Sequence, residues 1–305
     1  MPSPALVVLA GPTAVGKTGL SLNLARRFGA EIVGADSVQV YRGLDIGSAK
    51  PTPEEQAQAR HHLIDVAEPG ESFSAARYAR LAGEAIAGIH ARGRRVLVVG
   101  GTGLYIKALL FGLAPTPPVD QELRARLRRE REELGPEATH QRLAGLDPDT
   151  AAKLHPNDRQ RVLRALEVCL QTGAPLSRRQ QAHGFGSPRH PHLIVGLERP
   201  RAELNQRIEE RARAMWQQGL LEEVRGLLAK GVPPDAPGLA SLGYRQAVAF
   251  LRGEMRSEEA LFDMIKKTRA YAKRQLTWFR GIDGLVWCDA QDADGVSRRV
   301  RAFWS

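Results

Sequence analysis

Cysteine is scarce in this chain of 305 residues, which contains only Cys169 and Cys288. The two lie far apart and form no C-x-x-C pair, so the sequence supports neither a disulfide framework nor a zinc site. The adjacent His61 and His62 have no further histidine or cysteine at a ligand spacing, and we do not expect them to hold a metal. A reducing compartment suits this composition.

Long apolar runs are also missing. No stretch approaches the roughly 18 apolar residues that a membrane helix needs. The apolar residues 5–10 lack the positively charged start of a signal peptide, and they lead directly into a glycine-rich motif. The sequence therefore predicts a soluble, cytoplasmic protein with no membrane association.

Acidic residues are nearly absent from two stretches of a chain whose formal net charge is +10. Residues 153–189 contain seven Lys or Arg and two Asp or Glu, and residues 266–280 contain six Lys or Arg and no acid. The rest of the chain is close to neutral. Positive charge concentrated in this way is typical of proteins that contact nucleic acid.

A phosphate-binding motif opens the chain. Residues 11–18 match G-x-x-x-x-G-K-[ST] at every fixed position: Gly11, Pro12, Thr13, Ala14, Val15, Gly16, Lys17 and Thr18. The motif follows the apolar residues 5–10 and precedes a helical pattern over residues 20–28, which gives strand, loop and helix. Such a loop directs backbone N–H groups, an ammonium and a hydroxyl at phosphates and Mg²⁺. The sequence therefore predicts a diphosphate or triphosphate site.

A second predicted strand, residues 31–35, ends at Asp36. Ligands of open α/β sheets bind beyond the carboxyl ends of the strands, so this acid lies where chemistry can take place. Three roles are open for it on position alone. Asp36 could cap the next segment, bind Mg²⁺ or act as a general base.

A third predicted strand, residues 95–99, ends in Gly100, Gly101, Thr102 and Gly103. Many NTPases carry an aspartate at this point to hold Mg²⁺ and water, so its absence argues against an ordinary ATPase. Two explanations of the glycines compete. They either let a flat group approach the backbone beside the Thr102 hydroxyl, or make the turn from strand to helix.

A Pro-rich break at residues 114–118 precedes a charged helix over residues 120–134 and an amphipathic helix over residues 158–171. On the second helix, Gln160, Arg161 and Arg164 oppose an apolar arc and are candidates for phosphate contacts. The fold class is therefore predicted as α/β: a P-loop core of residues 1–114 and 189–305, with a parallel sheet flanked by helices. Residues 115–188 form a helical insertion.

The C-terminal half reads as one long helix over residues 204–230, another over residues 258–279 and a last strand over residues 285–288. Arg207 and Arg211 could close over phosphates or pair with Glu203 and Glu210, and the sequence favours the ion pairs. On the later helix, a cationic face beside Tyr271 and Trp278 suits nucleic acid.

In combination, these segments resemble bacterial tRNA dimethylallyltransferases, also called tRNA isopentenyltransferases, over nearly the whole chain. Besides the phosphate loop, the resemblance is carried by DSVQVYR (36–42), HHLID (61–65), GGTGLY (100–105), NDRQRVLRALEV (157–168), GYRQ (243–246) and AKRQLTWFR (272–280).

The resemblance implies an enzyme that transfers a dimethylallyl group from dimethylallyl diphosphate to N6 of the adenosine at tRNA position 37. By this resemblance, residues 13–18 bind the diphosphate, Lys17 neutralises it and Thr18 helps to hold Mg²⁺. Asp36 matches a proposed general base, Thr102 a residue that contacts the target adenine, and Arg211 one that contacts the diphosphate. We then expect Asp36, Thr102 and Lys17 to share a cavity.

The resemblance also implies that the insertion binds the tRNA anticodon arm, and we expect the protein to be a monomer. Besides Asp36 and Thr102, the matched tRNA-contacting positions are Ser37, Val38, Gln39, Arg124, Gln160, Arg161, Val162, Leu163, Arg164, Ser241, Leu242, Gly243, Tyr244, Arg245 and Gln246. Two alternatives use the same features: a nucleoside or nucleotide kinase, and a non-enzymatic RNA-binding P-loop protein.

Overall fold

The computed structural model describes residues 4–184 and 186–305. Its strands are β1 (Leu6–Ala10), β2 (Ala30–Gly34), β3 (His61–His62), β4 (Arg95–Gly100), β5 (His192–Glu198) and β6 (Leu285–Asp289). Its helices are α1 (Lys17–Phe28), α2 (Pro53–Gln58), α3 (Ala75–Ala91), α4 (Gly103–Phe111), α5 (Gln121–Leu146), α6 (Pro148–Ala151), α7 (Arg159–Thr172), α8 (Leu176–His183), α9 (Arg201–Gln217), α10 (Leu220–Ala229), α11 (Tyr244–Leu251), α12 (Ser257–Arg280) and α13 (Ala293–Trp304).

The six strands form one parallel sheet in the order β3-β2-β4-β1-β5-β6. All five residues of β1 are buried, as is typical of a central parallel strand covered on both faces. Helices α1, α3 and α13 contact the strands directly. The predicted α/β class, with a parallel sheet flanked by helices, is confirmed.

The chain changes direction across the sheet between β1 and β4. From β1 it passes over β4 to β2, whereas from β4 it continues to β5 on the other side of β1. A crevice forms at such a switch point, beyond the carboxyl ends of the strands. Residues 11–16 follow β1, Gly101 and Thr102 follow β4, and Asp36 follows β2 at this same edge.

Contacts divide the chain into two compact units. One contains the sheet and comprises the residues up to Leu110 together with Arg189–Ser305, and the other is Phe111–Pro188. Within the second unit, Leu127, Leu143, Val162 and Leu166 are fully buried in an apolar core of their own. This helical unit begins at residue 111, where the sequence had placed the start of the insertion at 115.

Two predicted helices differ in the structure. The long helix predicted over residues 204–230 is wrong, because Gly219 adopts a φ of 109° and separates α9 from α10. The charged helix predicted to end at residue 134 continues to Leu146 after a kink, where Gly135 has a φ of 85° and Pro136 follows. Glycine is the residue that adopts such backbone angles without steric cost.

Among the described residues, no helix combines the length and the apolarity that crossing a bilayer would demand.

Candidate active site

The phosphate loop joins β1 to α1 through a strained backbone. Gly11 and Gly16 have φ values of 149° and 112°, and Ala14 lies in the left-handed region at 64°. A Cβ atom on Gly11 would lie 2.9 Å from the carbonyl oxygen of Leu197 in β5. A non-glycine residue at positive φ persists only where its surroundings hold it, so the loop is fixed by contacts from elsewhere in the chain.

Lys17, the first residue of α1, is folded back onto its own loop. Its Nζ donates hydrogen bonds to the carbonyl oxygens of Gly11 at 2.9 Å and Pro12 at 2.8 Å. Burial lowers the pKa of Lys17 to about 7, the negative charge of Asp36 opposes this shift, and the positive charge of Arg211 adds to it. The ammonium therefore sits in a site that favours an additional anion.

Three arginines between β5 and the end of α9 hold the phosphate loop in place. Arg199 Nε donates to the Val15 carbonyl oxygen at 2.8 Å, and Arg207 Nε donates to the Ala14 carbonyl oxygen at 2.9 Å. Arg211 donates to the Thr13 hydroxyl. These contacts explain how Ala14 is kept at positive φ.

The ion pairs that the sequence favoured for Arg207 and Arg211 are wrong. Glu203 instead pairs with Arg199, and Glu210 accepts a hydrogen bond from Gln206 at 2.8 Å. Burial lowers the pKa of Arg211, and the nearby charge of Asp36 opposes this. Both arginines reach the loop because α9 is buried in the same apolar cluster as Leu9 and Val15, and local spacing does not encode this packing.

Gln275 of α12 connects the two loops at the switch point. Its Oε1 accepts from the backbone N–H of Thr13 at 2.9 Å, and its Nε2 donates to the Gly101 carbonyl oxygen at 2.8 Å. The side chain is only 6% exposed. The sequence analysis placed Gln275 within a motif but assigned it no role. A glutamine on the buried side of a helix indicates a buried hydrogen bond, and this signal could have identified it.

Asp36 is tied into the turn that follows β2. Its Oδ1 accepts from the backbone N–H groups of Val38 at 2.8 Å and Gln39 at 3.2 Å. The Thr102 hydroxyl accepts from the Ser37 N–H at 3.1 Å, and the Thr102 N–H donates to the Ala35 carbonyl oxygen at 3.1 Å. One carboxylate oxygen of Asp36 thus caps the turn. Thr102 joins the loop after β4 to the loop after β2 through these two hydrogen bonds.

The glycines after β4 accommodate the protein's own groups. A Cβ atom would lie 2.1 Å from the Ala35 carbonyl oxygen at Gly100, 2.3 Å from Gln275 Nε2 at Gly101, and 2.2 Å from the Trp278 ring at Gly103. The explanation in which a flat ligand approaches this backbone stays a prediction. The glycines allow close packing with β2 and α12.

One cavity of about 1030 Å³ contains the phosphate loop and Asp36. Lys17, Arg211, Tyr271 and Gln275 line it together with Asp36, as do residues from 45 to 56. Burial raises the pKa of Tyr271 to about 12, and the nearby Asp36 charge contributes. The expected shared cavity is found for Lys17 and Asp36.

Thr102 does not line this cavity in the structure, although its neighbour Gly101 does. The Thr102 hydroxyl accepts from the Ser37 backbone N–H, and its hydrogen bond with Tyr271 connects it to the lining of the cavity.

Several side chains at matched tRNA-contacting positions are buried. Val162 and Leu163 are 0% and 5% exposed in the core of the helical unit, because their side of α7 packs against α5. Tyr244 is 0% exposed and donates to Glu223 at 2.6 Å, and Gln246 is 2% exposed and donates to Asp263 at 2.8 Å. The structure does not leave these side chains available to an RNA, and Gly243 is buried as well.

Other matched positions do reach solvent. Gln160, Arg161 and Arg245 are exposed, and Ser37, Val38, Gln39, Arg164, Ser241 and Leu242 are half-buried. Arg124 is held by two hydrogen bonds to the fully buried Glu167, at 2.5 and 2.8 Å. Arg164 donates to the same carboxylate at 3.1 Å.

In the described part of the chain, no three His, Cys, Asp or Glu side chains converge as a metal site would require. Thr18 and Asp36 both line the cavity. A hydroxyl and a carboxylate are the kind of oxygen ligands that Mg²⁺ takes beside phosphates.

Comparisons with known proteins agree with this geometry. Residues 39–282 match the family described as IPP transferase. The chain is 48% identical over 300 residues to a tRNA dimethylallyltransferase of Geobacter sulfurreducens, covering 98% of this chain and 96% of the relative. It is 51% identical over 296 residues to one of Anaeromyxobacter dehalogenans, covering 97% and 96%.

Solved structures are similar as well. A tRNA isopentenylpyrophosphate transferase from Bacillus halodurans superposes with a TM-score of 0.73 at 37% identity, covering 98% of this chain and 96% of that one. A eukaryotic dimethylallyltransferase described as acting on tRNA gives a TM-score of 0.81 at 29% identity, covering 98% and 78%. Its sequence matches this family over most of its length, and its phosphate loop and Asp36 line one cavity, so the chain belongs to the IPP transferase family.

Proposed function

We propose that this protein is a tRNA dimethylallyltransferase. It transfers the dimethylallyl group of dimethylallyl diphosphate to N6 of the adenosine at tRNA position 37 and releases diphosphate. The names of its relatives support the reaction. The observation that carries the proposal is the single cavity that Lys17, Arg211 and Asp36 line together.

The phosphate loop and Arg211 bind the diphosphate of the donor. An exocyclic amine is a weak nucleophile, so the barrier falls mainly through stabilisation of the departing diphosphate by fixed donors and cations. On binding, the Lys17 ammonium exchanges the Gly11 and Pro12 carbonyl oxygens for phosphate oxygens. Arg207 and Arg199 hold the backbone of the loop in place through hydrogen bonds to its carbonyl oxygens.

Asp36 acts as the general base. Hydrogen bonds from Val38 and Gln39 occupy its Oδ1, whereas its Oδ2 accepts none from the described residues. The free oxygen can take the proton that the adenine amino group loses as its nitrogen bonds to carbon. Such assistance contributes less than leaving-group stabilisation, on the order of 10²–10⁴-fold.

Mg²⁺ fits the donor set beside the phosphate loop. Mg²⁺ commonly keeps one or two protein ligands together with phosphate oxygens and waters, and the hydroxyl of Thr18, which lines the cavity, would supply one. When bound, the ion neutralises charge that develops on the diphosphate. Lys17 and Arg211 supply the remaining positive charge.

The donor's five-carbon chain needs an apolar wall. Ile46, Ala214 and Met215 line the cavity near the polar groups of the phosphate loop. Because each buried CH₂ contributes about 0.8 kcal/mol, a short prenyl chain gains modest affinity there and the diphosphate provides most of the recognition.

The acceptor adenosine belongs to an anticodon loop, so its base must leave the stack to enter the cavity. We propose that the helical unit of residues 111–188 binds the anticodon arm through exposed groups such as Gln160 and Arg161, and that Ser37, Val38, Gln39, Ser241, Leu242 and Arg245 contact the RNA near the cavity. Monomeric state and cytoplasmic location stay predictions.

One assay tests the proposal against its rivals. The protein is mixed with tRNA, Mg²⁺ and either dimethylallyl diphosphate or γ-labelled ATP, and digested nucleosides are analysed by mass. We expect an adenosine that is heavier by one dimethylallyl group and no label transfer from ATP. Label transfer would support a nucleoside or nucleotide kinase, and tRNA binding without any modified base would leave a non-enzymatic RNA-binding protein.

A further inference from the structure

We propose that Trp278 is a stacking platform for an unpaired RNA base that neighbours the target adenosine. The proposal rests on the function proposed above and adds a contact outside the cavity. Trp278 is 43% exposed, an unusual exposure for the largest apolar side chain, and lies near the end of α12. An exposed aromatic face that is fixed in place is what a base stacks on.

The Trp278 indole packs closely against the first residue of α4. It lies so close to Gly103 that a Cβ atom on this glycine would be 2.2 Å from two ring atoms. Leu104, the next residue, is 46% exposed. Because Gly103 has no side chain, the indole packs against α4 while part of the ring surface stays in water. A ring that is already positioned loses little conformational entropy when a base stacks on it.

Trp278 lies on the same helical face as two residues that line the cavity. Tyr271 and Gln275, seven and three residues earlier on the same face of α12, line the cavity. From Tyr271 to Trp278 the helix rises by about 10 Å. Since stacked nucleotides are about 3.4 Å apart along a strand, this distance corresponds to the next few nucleotides of the loop that carries the target.

The surrounding charge selects a polyanion as the occupant. Residues 264–282 contain no acid, and in the described chain no carboxylate pairs with Lys273, Arg274 or Arg280. Arg274 lies one turn before Trp278, with its guanidinium 5.7 Å from the Tyr271 ring centre. A protein partner or a second copy of this chain would need acidic side chains opposite these Lys and Arg residues, whereas a single-stranded RNA supplies phosphates and bases together.

The same helix offers a matched control. Phe262 is 69% exposed near the start of α12, but Glu258, Glu259 and Asp263 lie around it in the sequence. A merely exposed aromatic residue should not contribute to RNA affinity from such an acidic environment. Phe262→Ala therefore tests whether an effect is specific to the position of Trp278.

The test measures tRNA binding over a range of salt concentrations and steady-state kinetics with both substrates. For Trp278→Ala we expect a roughly 5- to 150-fold loss of tRNA affinity, with an unchanged slope of log affinity against log salt. The KM for dimethylallyl diphosphate should not change. Trp278→Phe should retain most of the affinity, and Phe262→Ala all of it.

A second measurement places the contact on a base. Anticodon stem-loops with one abasic nucleotide beside the target adenosine should bind wild type less tightly, while Trp278→Ala should lose nothing further. The inference would be overturned if Trp278→Ala bound tRNA as tightly as the wild type, kept a normal melting temperature and still transferred the prenyl group. A changed oligomeric state in Trp278→Ala would also overturn it, in favour of a protein contact.

Discussion

Lys17 shows how a buried residue can prepare a site for an anion. Its ammonium is surrounded by loop carbonyl oxygens, and burial lowers its pKa to about 7 in spite of the carboxylate of Asp36. A bound diphosphate would restore the preference for the charged form, because an adjacent anion stabilises the ammonium. Binding of the donor and protonation of Lys17 are therefore linked.

This linkage predicts how donor binding changes with pH. Below about pH 7 Lys17 is charged before the diphosphate arrives, whereas above pH 7 binding must take up a proton, so affinity falls by up to about tenfold per pH unit. Calorimetry at pH 8 in two buffers of different ionisation enthalpy should show proton uptake. Lys17→Arg, whose side chain stays charged, should reduce that uptake. Equal uptake in both proteins would assign it to the diphosphate itself.

Asp36 carries a prediction that separates structure from chemistry. Asp36→Asn retains Oδ1 as an acceptor for Val38 and Gln39 but cannot take a proton, so turnover should fall by about 10²–10⁴-fold with tRNA affinity little changed. Single-turnover kinetics with saturating substrates measure the effect. Asp36→Ala should lose turnover as well and also loosen the turn. Wild-type turnover in Asp36→Asn would remove the base role.

At the level of elements, the site depends on how closely strands and helices approach one another. Gly100 ends β4 against the backbone of Ala35, and Gln275 brings α12 into contact with both loops at the switch point. The carboxyl ends of β1, β2 and β4 can meet only because side chains are absent there. The glycines after β4 are therefore structural requirements of the site.

Gly100→Ala should destabilise the protein strongly. The added methyl group would overlap the Ala35 carbonyl oxygen at 2.1 Å, and backbone cannot rotate away as a side chain can. We expect a loss of several kcal/mol in the free energy of unfolding, measured by urea denaturation. Gly83→Ala is the control, because open space surrounds that helical position and the change should stabilise α3 by about 0.5–1 kcal/mol. Similar stability of the two variants would contradict the packing argument.

At the level of the molecule, the excess positive charge serves different purposes at different places. Arg161 is 72% exposed and pairs with Asp158 at the start of α7, whereas Arg124 and Arg164 converge on the fully buried Glu167. A buried carboxylate that loses its partner is costly, so Arg164 has a structural role within the helical unit. Charge reversal there would destabilise the unit and confuse any test of RNA binding.

Arg161→Ala is the cleaner test of the basic surface. It should weaken tRNA binding severalfold and reduce the slope of log affinity against log salt by about one. Arg256→Ala, which also removes an exposed arginine from a three-residue-spaced ion pair, should change neither quantity. Filter binding at several salt concentrations distinguishes the two variants. An unchanged slope in Arg161→Ala would place the RNA elsewhere.

Much of the fold follows from local patterns. The phosphate loop could be predicted because eight consecutive residues contain the chemistry of the site, and α12 because apolar side chains recur at helical spacing. The general placement of Asp36 followed from the rule for strand ends in parallel sheets. In these cases the signal and the structure lie within a few residues of each other.

The long-range partners could not be predicted in this way. Thr13 meets Gln275 across 262 positions of sequence, and Arg207 reaches Ala14 across 193. Spacing had favoured ion pairs for Arg207, and nothing local marked Tyr244 as buried against Glu223. Periodicity specifies the backbone of an element and its apolar face, but the group that each polar side chain meets depends on how distant elements pack, and this is settled when the sheet and its helices come together.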